Sequence, residues 1–197
     1  MSQSPYSSLP LGPDDIRLLR LMPHKNEKAD IKCQLFKYSL QDSGKRNHLY
    51  EALSYAWGSS DKPLFISIKE HKLPVTVNLH TALSRLRDRS LTRIIWIDAV
   101  CINQDDPKER GDQVKLMAKI YSKANHVIVW LGEMADNSDQ ALEEIRAAAQ
   151  KESPNSLNDK TLKQAILALL QRPWFRRIWV SEQTPLTLGA EITKRSI

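Results

Sequence analysis

The sequence predicts an α/β fold with a mainly parallel sheet flanked by helices, and three observations carry that prediction. The first is an unbroken apolar run, Ile94-Ile95-Trp96-Ile97, whose β-branched and aromatic residues suit a strand covered on both faces. The second is a similar run, Val127-Ile128-Val129-Trp130-Leu131. The third is a pair of stretches with apolar residues at helical spacing, one before each of these strands: Leu79, Ala82, Leu83 and Leu86, then Val114, Met117, Ala118 and Tyr121. Strand and helix alternating in this way predict two β-α-β crossings, which place the carboxyl ends of the strands along one sheet edge.

Taken in order, residues 1–14 are rich in Ser and Pro and read as a flexible lead-in to one domain over 15–183. Two additional N-terminal strands follow at 16–21 and 31–37, the second alternating as a half-wet strand does. A turn at 41–47 leads to an aromatic strand, Leu49-Tyr50-Glu51-Ala52-Leu53-Ser54-Tyr55-Ala56-Trp57-Gly58, broken at its glycine. Residues 64–68 and 73–77 read as a β-hairpin turning at Glu70-His71, with Pro74 consigning the second strand to an edge. Asn78 is a candidate cap for the first helix. Asp106-Pro107-Lys108-Glu109 has the grammar of the second helix start, with Asp106 as cap and Glu109 reaching back as in a capping box. The chain then turns helical: 138–150, a polar linker at 151–158, a stripe of Leu162, Ile166, Leu169 and Leu170, and a start at Pro173 anchored by Trp174, Ile178 and Phe175. Residues 184–197 form a C-terminal tail with no strong pattern.

Composition narrows the function. A hydrophobic fraction of 41% over 197 residues supplies a proper core. The net charge of +6 is dispersed among acids without a Lys/Arg block, so a nucleic-acid partner is not expected. Cys33 and Cys101 show neither metal-ligand spacing nor a disulfide framework, and no targeting or membrane-spanning segment is evident, which together predict a soluble cytoplasmic protein without a membrane partner or metal. No dinucleotide fingerprint, Walker loop, nucleophile elbow or zinc-protease motif occurs. Cys101 reads as a small strand-end hydrophobe, since nothing in the sequence nominates a base to activate it.

What remains is the strand edge, where Ser54, Trp57, Gly58, Asp98, Asn103, Gln104 and Trp130 are expected to meet. Carboxylates, amides and indoles together suit a flat ring and sugar hydroxyls, as in a nucleotide-like ligand. Asp98 fits a structural role equally well, and Trp57, Trp96 and Trp130 also read as core aromatics.

Several ordered blocks across 16–183 resemble the fungal HET, or heterokaryon incompatibility, domain. They are Tyr50-Glu51-Ala52-Leu53-Ser54-Tyr55-Ala56-Trp57-Gly58, Leu73-Pro74-Val75-Thr76-Val77-Asn78-Leu79, and Trp96-Ile97-Asp98-Ala99-Val100-Cys101-Ile102-Asn103-Gln104. The resemblance continues through Glu109-Arg110, Gln113-Val114, Met117, Ile120-Tyr121 and Val129-Trp130-Leu131-Gly132. It ends at Arg172-Pro173-Trp174-Phe175-Arg176-Arg177-Ile178-Trp179-Val180. It implies a death effector of fungal non-self recognition, built on a TIR-like (flavodoxin-like) sheet and assembling as a homo-oligomer or with a signalling partner protein. Some TIR domains cleave NAD with a helix glutamate, so NAD is the implied substrate or ligand, and no cofactor is required. In HET domains the corresponding run is usually Trp-Val-x-Gln-Glu. Here it is Trp179-Val180-Ser181-Glu182-Gln183, with the acid one position early. One helical step turns a side chain by about 100°. By resemblance Glu182 takes the catalytic role, while the strand-end reading has Trp130 stack on a ring and Arg110 meet a phosphate. The alternative implied is a non-catalytic protein-interaction module of the same pathway.

Overall fold

A computed structural model describes residues 4–41, 50–149 and 160–176, which fall into two compact units, 4–130 and 131–176. The first unit holds a sheet of seven strands: β1 (Asp15–Leu21), β2 (Lys32–Ser39), β3 (Glu51–Tyr55), β4 (Leu64–Ile68), β5 (His71–Val75), β6 (Arg93–Trp96) and β7 (His126–Trp130). Their order is β5-β4-β2-β1-β6-β3-β7. Three helices belong to the same unit: α1 (Val77–Leu86), the short α2 (Asp98–Cys101) and α3 (Pro107–Lys123).

The α/β class is as the sequence predicts, but the sheet is mixed rather than mainly parallel. Parallel pairing joins β6 to β3, β3 to β7 and β2 to β4, whereas β1 lies antiparallel to both its neighbours and β4–β5 is an antiparallel hairpin. These pairings run β5 opposite to β6. Helix α1 therefore connects antiparallel strands, and the first of the two predicted parallel crossings is absent. The second, β6-α3-β7, is present and passes over β3. Apolar spacing specifies helix and strand but carries no strand direction, which here is set by the insertion of β1 between β2 and β6.

Alternation assigns the two sheet faces. Arg93, Ile95, Cys33, Leu35, Ile66, Ile68 and Val75 share the face of α1, whose Leu79, Ala82, Leu83 and Leu86 are all buried, as their spacing predicts. Each of the three leucines contributes about 1.5–3 kcal/mol as an upper bound. The cap of α1 is Thr76, whose hydroxyl accepts from the Leu79 amide, and not Asn78. On the opposite face Trp96 packs edge-on against Tyr121 of α3, with ring centroids 5.6 Å apart. The apolar stripe of α3 matches the predicted one in part: Met117 and Tyr121 pack against the core. Gln113 and Ile120 are buried, while Val114 and Ala118 are exposed. Gln113 takes a core position because its amide donates to the Asp15 carbonyl at 2.9 Å.

Residues 4–14 are placed against the sheet unit, although composition predicts a loose lead-in: Tyr6 is buried and its hydroxyl donates to the Val100 carbonyl at 3.1 Å. The hairpin turns at Lys69-Glu70, where Lys69 takes a left-handed conformation with φ 52°, one residue earlier than predicted, and Pro74 does lie on the edge strand.

The second unit contains α4 (Ser138–Ala149), α5 (Lys160–Leu170) and a 3-10 turn (Pro173–Arg176). Ala141, Ala165 and Leu169 form its core with Leu131, Leu142 and Ile166, and Leu170 is exposed. Trp174 is buried, as expected of an anchor, whereas Phe175 is largely exposed against its edge. Ile178 lies outside the described residues. No described helix is long and apolar enough to cross a membrane.

Candidate functional site

The strand edge assembles from three chain breaks. β3 ends at Tyr55 and the chain turns at Gly58, whose φ of +75° is open to glycine and costly to other residues. β6 ends at Trp96 and runs directly into α2, so the residues predicted as a polar loop begin as a short helix led by Asp98. β7 ends at Trp130, followed by Gly132 at φ +98°. Since β3, β6 and β7 are mutually parallel, these ends share one edge.

Hydrogen bonds knit them together. The Trp57 indole N–H donates to Asp98 Oδ2 at 3.1 Å, and Asp98 Oδ1 accepts from the Ala99 amide at 2.7 Å. The Gln104 side-chain amide donates to the Asp98 carbonyl at 2.8 Å. Asn78 joins the other two strand ends: its amide donates to the Ala56 carbonyl at 2.6 Å, and its oxygen accepts from the Trp130 indole at 2.8 Å. The structure thus brings together Trp57, Gly58, Asp98, Gln104 and Trp130. Asn78 is legible only as a cap candidate, yet it stands three residues after a strand and beside the site loops, the one signal available for its role. Trp57 remains 41% exposed, so its indole is fixed through the N–H while part of the residue stays open to solvent.

The other predicted residues take different places. Ser54 lies within β3 opposite Val129, half-buried. Asn103 folds into a local turn, its side chain accepting from the Asp105 amide at 3.3 Å. Arg110 is exposed one turn into α3 and donates to the Gln104 carbonyl at 3.4 Å, which leaves the guanidinium beside the cluster. Glu182 and Gln183 lie outside the described residues.

Beneath the edge is an ion pair that the sequence reading missed. Arg17, 1% exposed, forks onto Glu109 with contacts of 2.5 and 3.0 Å. It also donates to the carbonyls of Leu9 and Cys101 at 3.0 and 3.3 Å, and the Tyr6 ring lies 5.0 Å from its guanidinium. Glu109 accepts in addition from the Asn103 amide at 2.7 Å. Glu109 therefore serves Arg17 and the 102–106 turn rather than a capping box, while Asp106 does cap α3 by accepting from the Lys108 and Glu109 amides. Arg87, likewise buried, donates to the carbonyls of Glu27, Ala29 and Asp30 and holds the β1–β2 connection.

The titratable groups near the edge are not poised for nucleophilic chemistry. Burial pushes the Cys101 thiol up to about 12, and Cys33 likewise, so neither forms thiolate near neutrality. Burial also raises the pKa of the Tyr6 hydroxyl, whereas that of the His80 imidazole is lowered by burial and by Arg87. Among the described residues no group of three or more His, Cys, Asp or Glu is arranged to hold a metal ion.

A mixed α/β sheet whose strand ends form a polar, tryptophan-bearing rim defines the class: a small α/β domain. The family described as Heterokaryon incompatibility protein (HET) matches residues 50–182, and the chain belongs to this family. It is 35% identical over 149 residues to Heterokaryon incompatibility protein 6, OR allele, of Neurospora crassa. That alignment covers 69% of this chain and 21% of the relative, so the chain spans about a fifth of the relative's length. No solved structure matches.

Proposed function

We propose that this chain is a cytoplasmic, TIR-like death effector of fungal non-self recognition that self-assembles and engages a nicotinamide nucleotide at its strand edge. Family membership and the name of the Neurospora crassa relative support the pathway. The observation that carries the ligand is the fixed indole of Trp57, its N–H on Asp98 and the residue 41% exposed. Such a ring is preorganised to stack on a planar base or nicotinamide ring, while the Arg110 guanidinium is placed to meet a phosphate. Gly58 keeps a Cβ out of the turn beside the ring, and Asn78 holds the neighbouring strand ends in register.

In this reading Glu182 supplies the carboxylate that stabilises the charge developing at the ribose carbon as its bond to the nicotinamide nitrogen breaks. The bonding electron pair leaves with nicotinamide. A water oxygen then bonds to the carbon and loses a proton to solvent, giving ADP-ribose. A second reading, a non-catalytic interaction module, is favoured by Gln183 standing where the family usually has its glutamate, because an amide cannot supply the charge.

Nicotinamide release from NAD, measured at low and high chain concentration in parent, Glu182→Ala and Gln183→Glu, separates the two. Release that rises with concentration and vanishes in Glu182→Ala supports the hydrolase. Silence in all three chains refutes cleavage and leaves the interaction module.

A further inference from the structure

Among the described residues, the half of the sheet around β2, β4 and β5 is covered by a helix on one face only. Alternation and register put Arg20, Lys32, Phe65, Lys72 and Pro74 on the face opposite α1, and all five are exposed, Phe65 at 53%. Phe65 and Pro74 are directly paired across the hairpin, and Lys32 and Lys72 flank Ser67 in the adjacent row. At about 4.8 Å per strand, the two lysines are rooted about 10 Å apart. Arg20 is held over the Phe36 ring at 4.5 Å. No Asp or Glu occupies any strand position on this face of β1, β2, β4 or β5. The result is an apolar centre with a basic rim, the arrangement of a docking surface rather than of a merely solvated sheet.

The same chain carries a segment of the opposite character. In the second unit Glu133, Met134, Asp136 and Asp139 are exposed within seven residues, Met134 at 77%. This turn has a fixed shape: Asp136 and Asn137 take left-handed conformations at φ 53° and 54°, and Arg172 donates to the carbonyls of Leu131 and Ala135, each at 3.1 Å. An apolar side chain rimmed by carboxylates on a preorganised turn complements an apolar centre rimmed by cations.

We propose that the basic sheet face of one copy receives the acidic Met134 turn of a second copy, giving a head-to-tail contact that repeats from chain to chain. Met134 packs on Phe65 and Pro74, and Glu133, Asp136 and Asp139 meet Lys32, Lys72 and Arg20. The inference rests on the reading of a self-assembling effector and names the surface that does the assembling.

The test is sedimentation velocity of the purified chain over a concentration series, at low salt and at about 0.5 M salt, where exposed charges are screened beyond a few Å. The parent is expected to show a mass that rises with concentration and falls with salt. Lys32→Glu with Lys72→Glu weakens association at least tenfold, as does Glu133→Lys with Asp136→Lys. A chain carrying all four substitutions regains it, because both partners have changed sign. All four positions are exposed, and a matching circular dichroism spectrum and melting temperature certify folding. Association that persists unchanged in both double variants overturns this surface while leaving self-assembly standing. A parent that stays monomeric throughout overturns the surface and the self-assembly reading together, whatever the nicotinamide assay shows. Failure of the four-substitution chain to recover also overturns the pairing.

Discussion

Replacing Glu109 with Gln isolates the ion pair beneath the strand edge. Arg17 is 1% exposed and its side-chain contacts are Glu109, two backbone carbonyls and the Tyr6 ring. A neutral amide keeps the shape but leaves a buried guanidinium without a countercharge, and breaking a buried pair in this way costs about 3–5 kcal/mol. The Leu9 and Cys101 carbonyls offset part of that penalty, which places the expectation near 3 kcal/mol. In urea denaturation with a slope of about 2 kcal/mol/M, the midpoint falls by about 1.5 M with the slope unchanged. The contrast is Arg89–Glu27, a pair 70% and 75% exposed, for which Glu27→Gln costs under about 0.5 kcal/mol. Combining Arg17→Met with Glu109→Leu should recover much of the loss, because an apolar pair carries no desolvation penalty. A Glu109→Gln cost below about 1 kcal/mol, or equal costs for the two glutamates, would refute the claim that Arg17 depends on a buried partner.

Four further outcomes are expected. Both thiols are raised by burial to about 12, above their unfolded range near 9. Their contribution to stability is therefore complete below pH 9 and is lost as pH rises toward 12, by up to about 1.4 kcal/mol per pH unit for each thiol, and native-state thiol labelling at pH 8 should track unfolding. Gly58→Ala should cost about 1–2 kcal/mol from backbone strain alone, since the added Cβ meets nothing closer than Asn78 Cβ at 3.9 Å; a neutral result in thermal melts would contradict the left-handed turn. Thr76→Ala and Asp106→Ala should each cost about 1 kcal/mol as lost helix caps. Asn78→Ala should cost about 1–3 kcal/mol by leaving the Trp130 indole and the Ala56 carbonyl unpaired, and equal stability of that variant and the parent would remove Asn78 from the site.

Much of this architecture was legible because it follows from spacing. The α1 stripe, the Asp106 cap, the edge position of Pro74 and the meeting of Trp57 with Asp98 all come from residue order and strand ends. What was not legible depends on partners distant in sequence. Arg17 in an apolar strand reads as a solvent-facing position until Glu109, 92 residues on, is brought beside it. Gln113 is buried with its amide on the Asp15 carbonyl, while Val114 beside it, expected in the stripe of α3, is exposed. Asn78 looks like a cap until folding supplies Ala56 and Trp130 as better partners, and Thr76 takes the cap instead. Strand direction was hidden for the same reason: nothing local in residues 15–21 reveals that they pair antiparallel with strands on both sides.

Ligand engagement at the strand edge is measured by titration calorimetry of the chain with NAD, with Trp57→Ala run beside the parent and Leu91→Ala, at a position 68% exposed, as a surface control. Saturable binding is expected of the parent and of Leu91→Ala, with affinity falling at least tenfold in Trp57→Ala. Binding that is absent in the parent, or undiminished when the Trp57 ring is removed, would contradict ligand engagement there.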